Sequence, residues 1–116
     1  MLVLQKDHTI SDEQQKKNIL EVTSDEYSTK ILSVTMKEYK SVNEISAETK
    51  IPISTIYRRI RMLEHVKLMM ISGIIDENGK KIFLYKSKIK TISTFFNGDF
   101  VEIKVVSNNM EKLQDR

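Results

Sequence analysis

The sequence contains no cysteine and no tryptophan, one proline, three glycines and two histidines. Without cysteine it has no disulfide and no thiolate that could bind a metal or act as a nucleophile. His8 and His65 are far apart in sequence, and neither a Gly-rich phosphate loop nor a Ser-His-Asp set is present. No apolar run approaches the roughly 20 residues of a membrane span, and the first residues turn polar too early for a signal peptide. We therefore expect a cytoplasmic protein that is not an enzyme and that uses no metal or other cofactor.

Basic residues are distributed unevenly along the chain. The 116 residues, 40% hydrophobic and 30% charged, have the composition of one globular domain. Residues 1–48 contain six basic and nine acidic side chains (net −3), residues 49–90 ten and three (net +7), and residues 91–116 three and four (net −1). The basic excess lies in the middle of the chain, a pattern expected of a nucleic-acid binder.

The segment 51–63, at the start of this basic region, divides into two faces at helical spacing. Its apolar face predicts burial, whereas the opposite face carries hydroxyl and guanidinium groups. Arginine suits phosphate clamping and bidentate contact with guanine, and serine and threonine can bind phosphates or bases. The apolar face contains Ile53, Ile56, Ile60 and Leu63, and the polar face contains Ser54, Arg58 and Arg61, flanked by Thr55, Tyr57, Arg59 and Met62. The segment is therefore either a recognition helix or a surface helix with a solvated basic face.

Two helices are predicted near the N-terminus. The first covers residues 12–22, with Ser11 or Asp12 as its cap and acidic residues in its first turn. The stretch Thr23–Glu26 has the spacing of a capping box and predicts a second helix that runs to about Tyr39. The buried face of this second helix is expected to contain Tyr27, Ile31, Leu32 and Val34.

A second capping box, Ser41–Glu44, predicts a short helix with Val42 and Ile45 buried and Ala47 as a further candidate for burial. Residues 49–52 then form a turn, because the residue before a proline disfavours helix and Pro52 favours the start of the next one. Two helices joined by about four residues, the second with a basic face, fit a helix-turn-helix.

A β-hairpin is predicted directly after the basic helix. Residues 68–75 and 80–86 form its strands, and Asp76–Gly79 is the turn, with the strong hairpin signal Asn-Gly. Such a hairpin is a wing, and Lys80 and Lys81 at its tip could meet a phosphate backbone or minor groove. The alternative is a strand edge that lysines protect against aggregation, which applies most to Lys86, Lys88 and Lys90.

A second hairpin is predicted at the C-terminal end, with arms at residues 89–96 and 100–106 and a turn at Asn97-Gly98. Its second arm alternates apolar Val101, Ile103 and Val105 with charged residues, so one face should be buried. The predicted fold class is α+β: a winged helix-turn-helix with a three-helix core and a β-hairpin wing, an extra N-terminal helix and a second C-terminal hairpin.

The limits of this structural unit are expected at residues 12–106. Residues 1–11 form an N-terminal arm, of which Met1–Ile10 is either loose or a short edge strand. Residues 107–116 form a polar tail, with a half-turn of helix at Met110–Leu113.

Five segments of the chain resemble archaeal winged helix-turn-helix transcriptional regulators of the broad arsenic-repressor-like (ArsR-like) group. The resemblance covers roughly residues 19–105, and Ile-Pro-Ile-Ser-Thr-Ile-Tyr-Arg-Arg is its most specific part. The segments are Ser24–Leu32, Ser41–Ser46, Ile51–Ile60, Asp76–Lys81 and Leu84–Ser87.

The resemblance implies sequence-specific binding of double-stranded DNA, usually as a homodimer on a near-palindromic site. It also implies that the helix from Ile53 to Glu64 enters the major groove and that the wing, 76–81, meets the backbone or minor groove. The positions that match DNA contacts are Ser54, Thr55, Tyr57, Arg58, Arg61, Lys80 and Lys81.

The sequence departs from this group in two places. Many relatives end the recognition helix with a glycine, whereas this chain has His65-Val-Lys-Leu68. Metal-sensing members use Cys or His ligands, which this chain does not provide as a set. A different class of function stays open, in which the winged helix binds another protein in a transcription or division complex. The candidates for such an apolar surface are Met62, Met69 and Met70, although Met at these positions also suits core filling.

Overall fold

The computed structural model describes residues 7–108 of the chain. Over that range it contains four α-helices and five β-strands, which form two small antiparallel sheets, so the predicted α+β class is confirmed. In chain order the elements are β1 (Asp7–Ile10), α1 (Glu13–Ser24), α2 (Glu26–Val34), α3 (Val42–Thr49), α4 (Ile53–His65), β2 (Met69–Ile75), β3 (Lys81–Ser87), β4 (Ile89–Phe96) and β5 (Val101–Ser107).

Helix α1 confirms the predicted N-terminal helix and extends it by two residues. Asp12 is its cap, and the carboxylate accepts a hydrogen bond from the backbone N–H of Gln15 at 2.8 Å. This bond satisfies one of the four N–H groups that a helix start leaves without an intrahelical partner. Ile19 and Val22 are the residues of α1 that are fully buried.

The capping box predicted at Thr23–Glu26 is wrong. Thr23 lies inside α1, where its hydroxyl donates to the carbonyl of Leu20 at 2.9 Å. Asp25 caps α2 instead, and its carboxylate accepts from the backbone N–H of Ser28 at 3.0 Å and from the Ser28 hydroxyl at 2.6 Å. A carboxylate accepts more strongly than a hydroxyl, so the cap lies two residues further along.

Helix α2 ends at Val34, five residues before the predicted end at Tyr39. The backbone N–H and the hydroxyl of Thr35 both donate to the Ile31 carbonyl, at 3.2 and 2.8 Å. The chain then extends to Lys40, whose N–H and carbonyl bond the carbonyl and N–H of Tyr85 at 2.9 and 2.8 Å. This bridge attaches the base of β3 to the segment before α3.

Helix α3 begins with the predicted capping box, which is confirmed. The Ser41 hydroxyl accepts from the Glu44 N–H at 3.1 Å, and the Glu44 carboxylate accepts from the Ser41 N–H at 2.8 Å. Val42 and Ile45 are buried, as the sequence predicts, whereas the third candidate, Ala47, is exposed.

Both predicted hairpins are confirmed. In the first hairpin, β2 pairs with β3 from Met69↔Ser87 to Ile75↔Lys81. In the second, β4 pairs with β5, and β1 pairs with the other side of β5, so the strand order is β1-β5-β4. Of the two alternatives for residues 1–10, the described part, from Asp7 to Ile10, is therefore an edge strand.

One hydrophobic core joins the helices and the second hairpin. Val101, Ile103 and Val105 lie on one face of β5, and Ile103 and Val105 are buried as their alternation predicts. The same buried cluster contains residues from all four helices, among them Ile19, Val22, Ile31, Leu32, Val42, Ile45, Ile56, Ile60 and Leu63.

The C-terminal end of this unit lies beyond residue 106. Strand β5 continues through Ser107, and Asn108 is buried with hydrogen bonds to the Met36 and Ser87 carbonyls. The half-turn predicted at Met110–Leu113 lies outside the described residues.

Candidate nucleic-acid interface

A three-residue turn, 50–52, determines where α4 begins. Lys50 has a left-handed backbone (φ 66°), and its N–H donates to the Ser46 carbonyl at 2.8 Å, which ends α3. The Ser46 hydroxyl donates to the carbonyl of buried Ile51 at 2.7 Å. Pro52 is the N-cap residue, and its φ of −59° already suits a helix start. Because proline has no backbone N–H, no hydrogen-bond partner is needed for it at this position. The helix therefore begins at Ile53, as predicted.

Helix α4 buries one face and exposes the other. Ile56, Ile60 and Leu63 are at most 2% exposed, as their spacing predicts. Ile53 differs from its predicted burial: it is 43% exposed, because it occupies the first helical position, before the packed turn. On the polar side Ser54, Arg58 and Arg61 are exposed, Tyr57 is 48% exposed, and Thr55 is half-buried.

The three arginines of α4 have different environments. The Arg59 guanidinium donates to both carboxylate oxygens of Asp25, from Nε at 2.7 Å and from Nη2 at 3.2 Å. It also lies 5.4 Å from the centroid of the Tyr27 ring, which is exposed and not buried as predicted. The bond from Arg59 lowers the pKa of the Asp25 carboxyl to about 2, against the desolvation that would raise it. Arg59 thus stabilises the fold.

Arg58 and Arg61 are not used in this way. Within residues 7–108 their side chains make no hydrogen bond, ion pair or ring contact. They are separated by one turn on the exposed face of α4, so both guanidinium groups are available to the same external anion or base edge.

The tip of the first hairpin presents two lysines. The loop is held by Asp76, whose carboxylate accepts from the backbone N–H groups of Asn78 at 2.9 Å and Lys80 at 2.8 Å. Gly79 has φ 81°, which glycine adopts without strain. The side chains of Lys80 and Lys81 are exposed, and the Lys81 ammonium lies 5.4 Å from the Phe83 ring centroid.

A cleft between the first hairpin and the helices brings three of the predicted contact residues together. Tyr57 of α4 faces it together with Lys80 and Lys81, and Ser41 and Asn43 at the start of α3 form the opposite wall. Its volume is about 260 Å³. The two lysines give this cleft a positive charge that favours an anion, whereas the start of α3 is already capped by the Glu44 carboxylate.

The other four predicted residues, Ser54, Thr55, Arg58 and Arg61, do not line this cleft. The candidate surface therefore has two parts, the exposed face of α4 and the cleft beside it. Sequence reasoning missed Ser41 and Asn43, although the capping box at Ser41 already indicated that both lie at the start of a helix.

The methionines suggested as a protein-binding surface do not form one. Met69 is buried, and Met62 and Met70 are half-buried. The apolar exposure in this region instead lies on the first hairpin, where Ile71, Ile74, Ile75 and Phe83 are each at least 40% exposed.

No protein-family model matches the chain, and no curated protein matches it. Among residues 7–108 no group of three or more His, Asp or Glu side chains is arranged to hold a metal ion. The four helices in that range are each too short or too polar to span a bilayer.

Proposed function

We propose that this protein is a sequence-specific, double-stranded DNA-binding transcriptional regulator with a winged helix-turn-helix fold. Helix α4 is the recognition helix, which enters the major groove. The first hairpin is the wing, and Lys80 and Lys81 contact the phosphate backbone or minor groove. The regulator acts as a homodimer on a two-fold symmetric operator.

The observation that carries this proposal is that the three arginines of α4 have different environments. Arg59 is held by Asp25, whereas Arg58 and Arg61 are exposed and make no contact within residues 7–108. An arginine pair on the outer face of a helix, with its apolar face packed on the core, suits bidentate contacts with guanine and clamping of phosphates. The net charge of +7 over residues 49–90 supplies the long-range attraction.

The test is selection from a pool of random duplex DNA at two salt concentrations, followed by sequencing of the retained fraction. Enrichment of a two-fold symmetric site supports a dimeric regulator and identifies its operator. Retention without enrichment, lost steeply as salt rises, would mean an unspecific binder. An absence of retention even at low salt would contradict DNA binding.

Variants then separate base contacts from backbone contacts. Arg58→Ala or Arg61→Ala should weaken operator binding by about 1–3 kcal/mol and relax specificity at one position. Lys80→Ala or Lys81→Ala should weaken binding to all sequences alike and lower the salt slope by about one unit each. Lys17→Ala, at an exposed position on α1, is the control that should change neither.

The second candidate function is a winged helix that binds another protein. Three exposed apolar side chains on one face of the first hairpin, those of Ile71, Ile75 and Phe83, favour it, because an exposed apolar patch often marks a contact surface. The two functions predict opposite results for Ile75→Lys, which should leave DNA binding intact or strengthen it in a regulator but abolish capture of a protein partner.

A further inference from the structure

Strand β4 forms an open edge of the three-stranded sheet. The strand order is β1-β5-β4, so β5 is satisfied on both sides, whereas β4 pairs on one side only within residues 7–108. A strand with one free side presents a row of N–H and carbonyl groups that can pair with another strand.

The second half of this edge lacks the features that usually prevent such pairing. Its segment 92–96, Ile-Ser-Thr-Phe-Phe, has no charge and no proline, and it is rich in residues that favour strands. A lysine and a bulge are present, but both lie at the far end, between Ile89 and Thr91. The opposite edge of the sheet is β1, which covers four residues within the range 7–108. Protection is therefore weakest over the second half of β4.

Exposed aromatic residues concentrate at the same place. Phe95 is 50% exposed, Phe96 is 73% exposed and Phe100 is 54% exposed, and they make up three of the four phenylalanines in the chain. Lys104 lies 6.0 Å from the Phe95 ring centroid and Lys16 lies 5.3 Å from the Phe100 ring centroid. No cation of the described chain covers Phe96 in this way, and it is the most exposed of the three.

The register of the hairpin shows which face Phe96 belongs to. Thr94 pairs with Ile103 and Phe96 pairs with Val101, so Phe96 is on the face of the sheet that carries the buried side chains of β5. Ile92, four residues before Phe96, is on the same face and packs against the core. Phe96 therefore continues the core face beyond the point where the helices cover it.

We propose that two copies of this chain pair along β4, antiparallel, about a two-fold axis at Thr94. The pairing makes one continuous six-stranded sheet and places Phe96 of each copy opposite the partner's Ile92. This inference deepens the homodimer of the proposed function and rests on it for its biological role, but it concerns protein contact alone.

A second copy fits this edge better than an unrelated strand. An edge strand is always complementary in hydrogen bonding to its own antiparallel copy, because a two-fold axis returns the same row of groups. In the register centred at Thr94, Lys90 lies opposite the partner's Gly98 and within reach of the partner's Asp99. Neither Lys90 nor Asp99 takes part in an ion pair within residues 7–108.

The exposed area of the three phenylalanines is too small for a stable interface, so strand pairing has to contribute as well. At about 150–200 Å² for a whole phenylalanine, the exposed parts of the three rings amount to roughly 300 Å² per copy, and Phe95 contributes its share on the opposite face of the sheet from Phe96. A stable interface needs about 800 Å² per partner. The remainder has to come from the strand edge itself, so the rings alone do not suffice.

Cysteine crosslinking tests the register directly, because the chain has no cysteine of its own. With the axis at Thr94, the two Cα atoms of residue 94 lie about 4.5–5.5 Å apart, within the range of a disulfide. Thr94→Cys should therefore give a covalent dimer when treated with diamide. Thr91→Cys is the matched control, since its two copies would lie about 20 Å apart and should stay monomeric on a denaturing gel.

Sedimentation of the full chain without DNA provides the second measurement. Wild type should dimerise, and Thr94→Lys, which places like charges across the axis, should weaken the dimer by about tenfold or more, whereas Thr91→Lys should not. A wild-type monomer at all concentrations, or a dimer in which Thr94→Cys fails to crosslink or crosslinks no better than Thr91→Cys, would overturn the proposal. Because no DNA is present, these results are independent of the operator selection.

Discussion

At the scale of single residues, Asp25 combines a helix cap with an ion pair. Only this residue separates α1 from α2, and its carboxylate caps α2 through the backbone N–H of Ser28. The same carboxylate binds the Arg59 guanidinium from α4 through both oxygens. One side chain therefore fixes how three helices meet, and it removes Arg59 from the exposed face of α4.

Asp25 should make the stability of the protein depend on acidic pH. The pKa of its carboxyl is lowered from 3.8 to about 2 in the folded state. The stabilisation is therefore present above about pH 4 and is lost as the pH falls from 3.8 towards 2. At pH 7 Asp25→Asn should lower the free energy of unfolding by about 1–2 kcal/mol, allowing for solvent screening of a pair that is partly exposed.

Urea unfolding of wild type and variant at pH 7 and pH 2.5 measures this difference. The gap between the two proteins should shrink at the lower pH. Asp12→Asn is the control, because Asp12 also caps a helix but has no arginine partner within residues 7–108. An equal gap at both pH values for Asp25→Asn would contradict the assigned role of the charge.

The pair between Asp25 and Arg59 was beyond prediction from sequence. The two residues are 34 positions apart, and helical spacing placed Arg59 only on a flank of α4. The cap itself is a local feature that the spacing of Thr23 and Glu26 obscured, because Asp25 is also a good cap and its carboxylate is the stronger acceptor. The apolar face of α4, in contrast, needed only its own spacing.

At the scale of elements, the end of α4 shows how this chain replaces a glycine. Lys67 has a left-handed backbone with φ 64°. Its N–H donates to the Glu64 carbonyl at 2.9 Å, and the Leu68 N–H donates to the Leu63 carbonyl at 2.8 Å. This is the Schellman pattern of hydrogen bonds, in which glycine is the usual residue. The residue type therefore differs from the expected glycine, and the helix still ends in the geometry that a glycine would give.

Lys67→Gly should therefore stabilise the protein by up to about 1 kcal/mol. The left-handed backbone costs a non-glycine residue about 1–2 kcal/mol, and the gain is reduced by the greater freedom of glycine in the unfolded chain. Lys17→Gly in the middle of α1 is the opposite control and should destabilise by about 1 kcal/mol. Thermal unfolding compares the two, and a loss of stability in Lys67→Gly would contradict the left-handed assignment.

Elements whose limits depend on neighbouring residues were predictable, and those limited by distant contacts were not. The hairpins followed from Asn-Gly turns, and α3 followed from its capping box. The end of α2 did not follow, because the chain leaves the helix to reach Tyr85, and this partner comes 45 residues after Lys40. The pairing of β1 with β5 has the same origin, since the two strands come from opposite ends of the chain.

At the scale of the whole molecule, Asn108 ties the end of β5 to two distant segments. It is 4% exposed, and its side-chain amide donates to the Met36 carbonyl at 2.8 Å and to the Ser87 carbonyl at 3.0 Å. Its backbone N–H donates to the Lys88 carbonyl at 2.9 Å. The Asn108 side chain therefore connects the end of the sheet to the loop after α2 and to the junction of the two hairpins.

Asn108→Ala should lower the free energy of unfolding by about 1–3 kcal/mol, because it leaves two carbonyls without their donor in a buried place. Asn108→Asp should be worse at pH 7, since a carboxylate would face the same two carbonyls, and part of the loss should return at low pH as that carboxyl takes a proton. Chemical denaturation at both pH values measures this, with Asn78→Ala in the exposed hairpin loop as control. Equal stability of Asn108→Ala and wild type would show that the tie is unimportant.

The candidate interface was only partly predictable at this scale. The residues on the face of α4 came from the spacing of one helix. The cleft of Tyr57, Lys80 and Lys81 required the relative positions of α3, α4 and the first hairpin, which are set by packing in the core and not by a local pattern. Ser41 and Asn43 line this cleft for the same reason.

The bridge between Lys40 and Tyr85 also holds the base of the first hairpin, so a small rotation at the base moves the hairpin tip by a larger distance. From Tyr85 to Lys81 the strand rises about 13 Å, so a rotation of roughly 10° at the bridge displaces the tip by about 2 Å. The distance between Lys80 and the arginines of α4 therefore depends on two backbone hydrogen bonds, of 2.9 and 2.8 Å, that lie far from both. In the proposed regulator, a substitution near this bridge would change the spacing between the two groups of DNA contacts without changing any residue of the candidate surface.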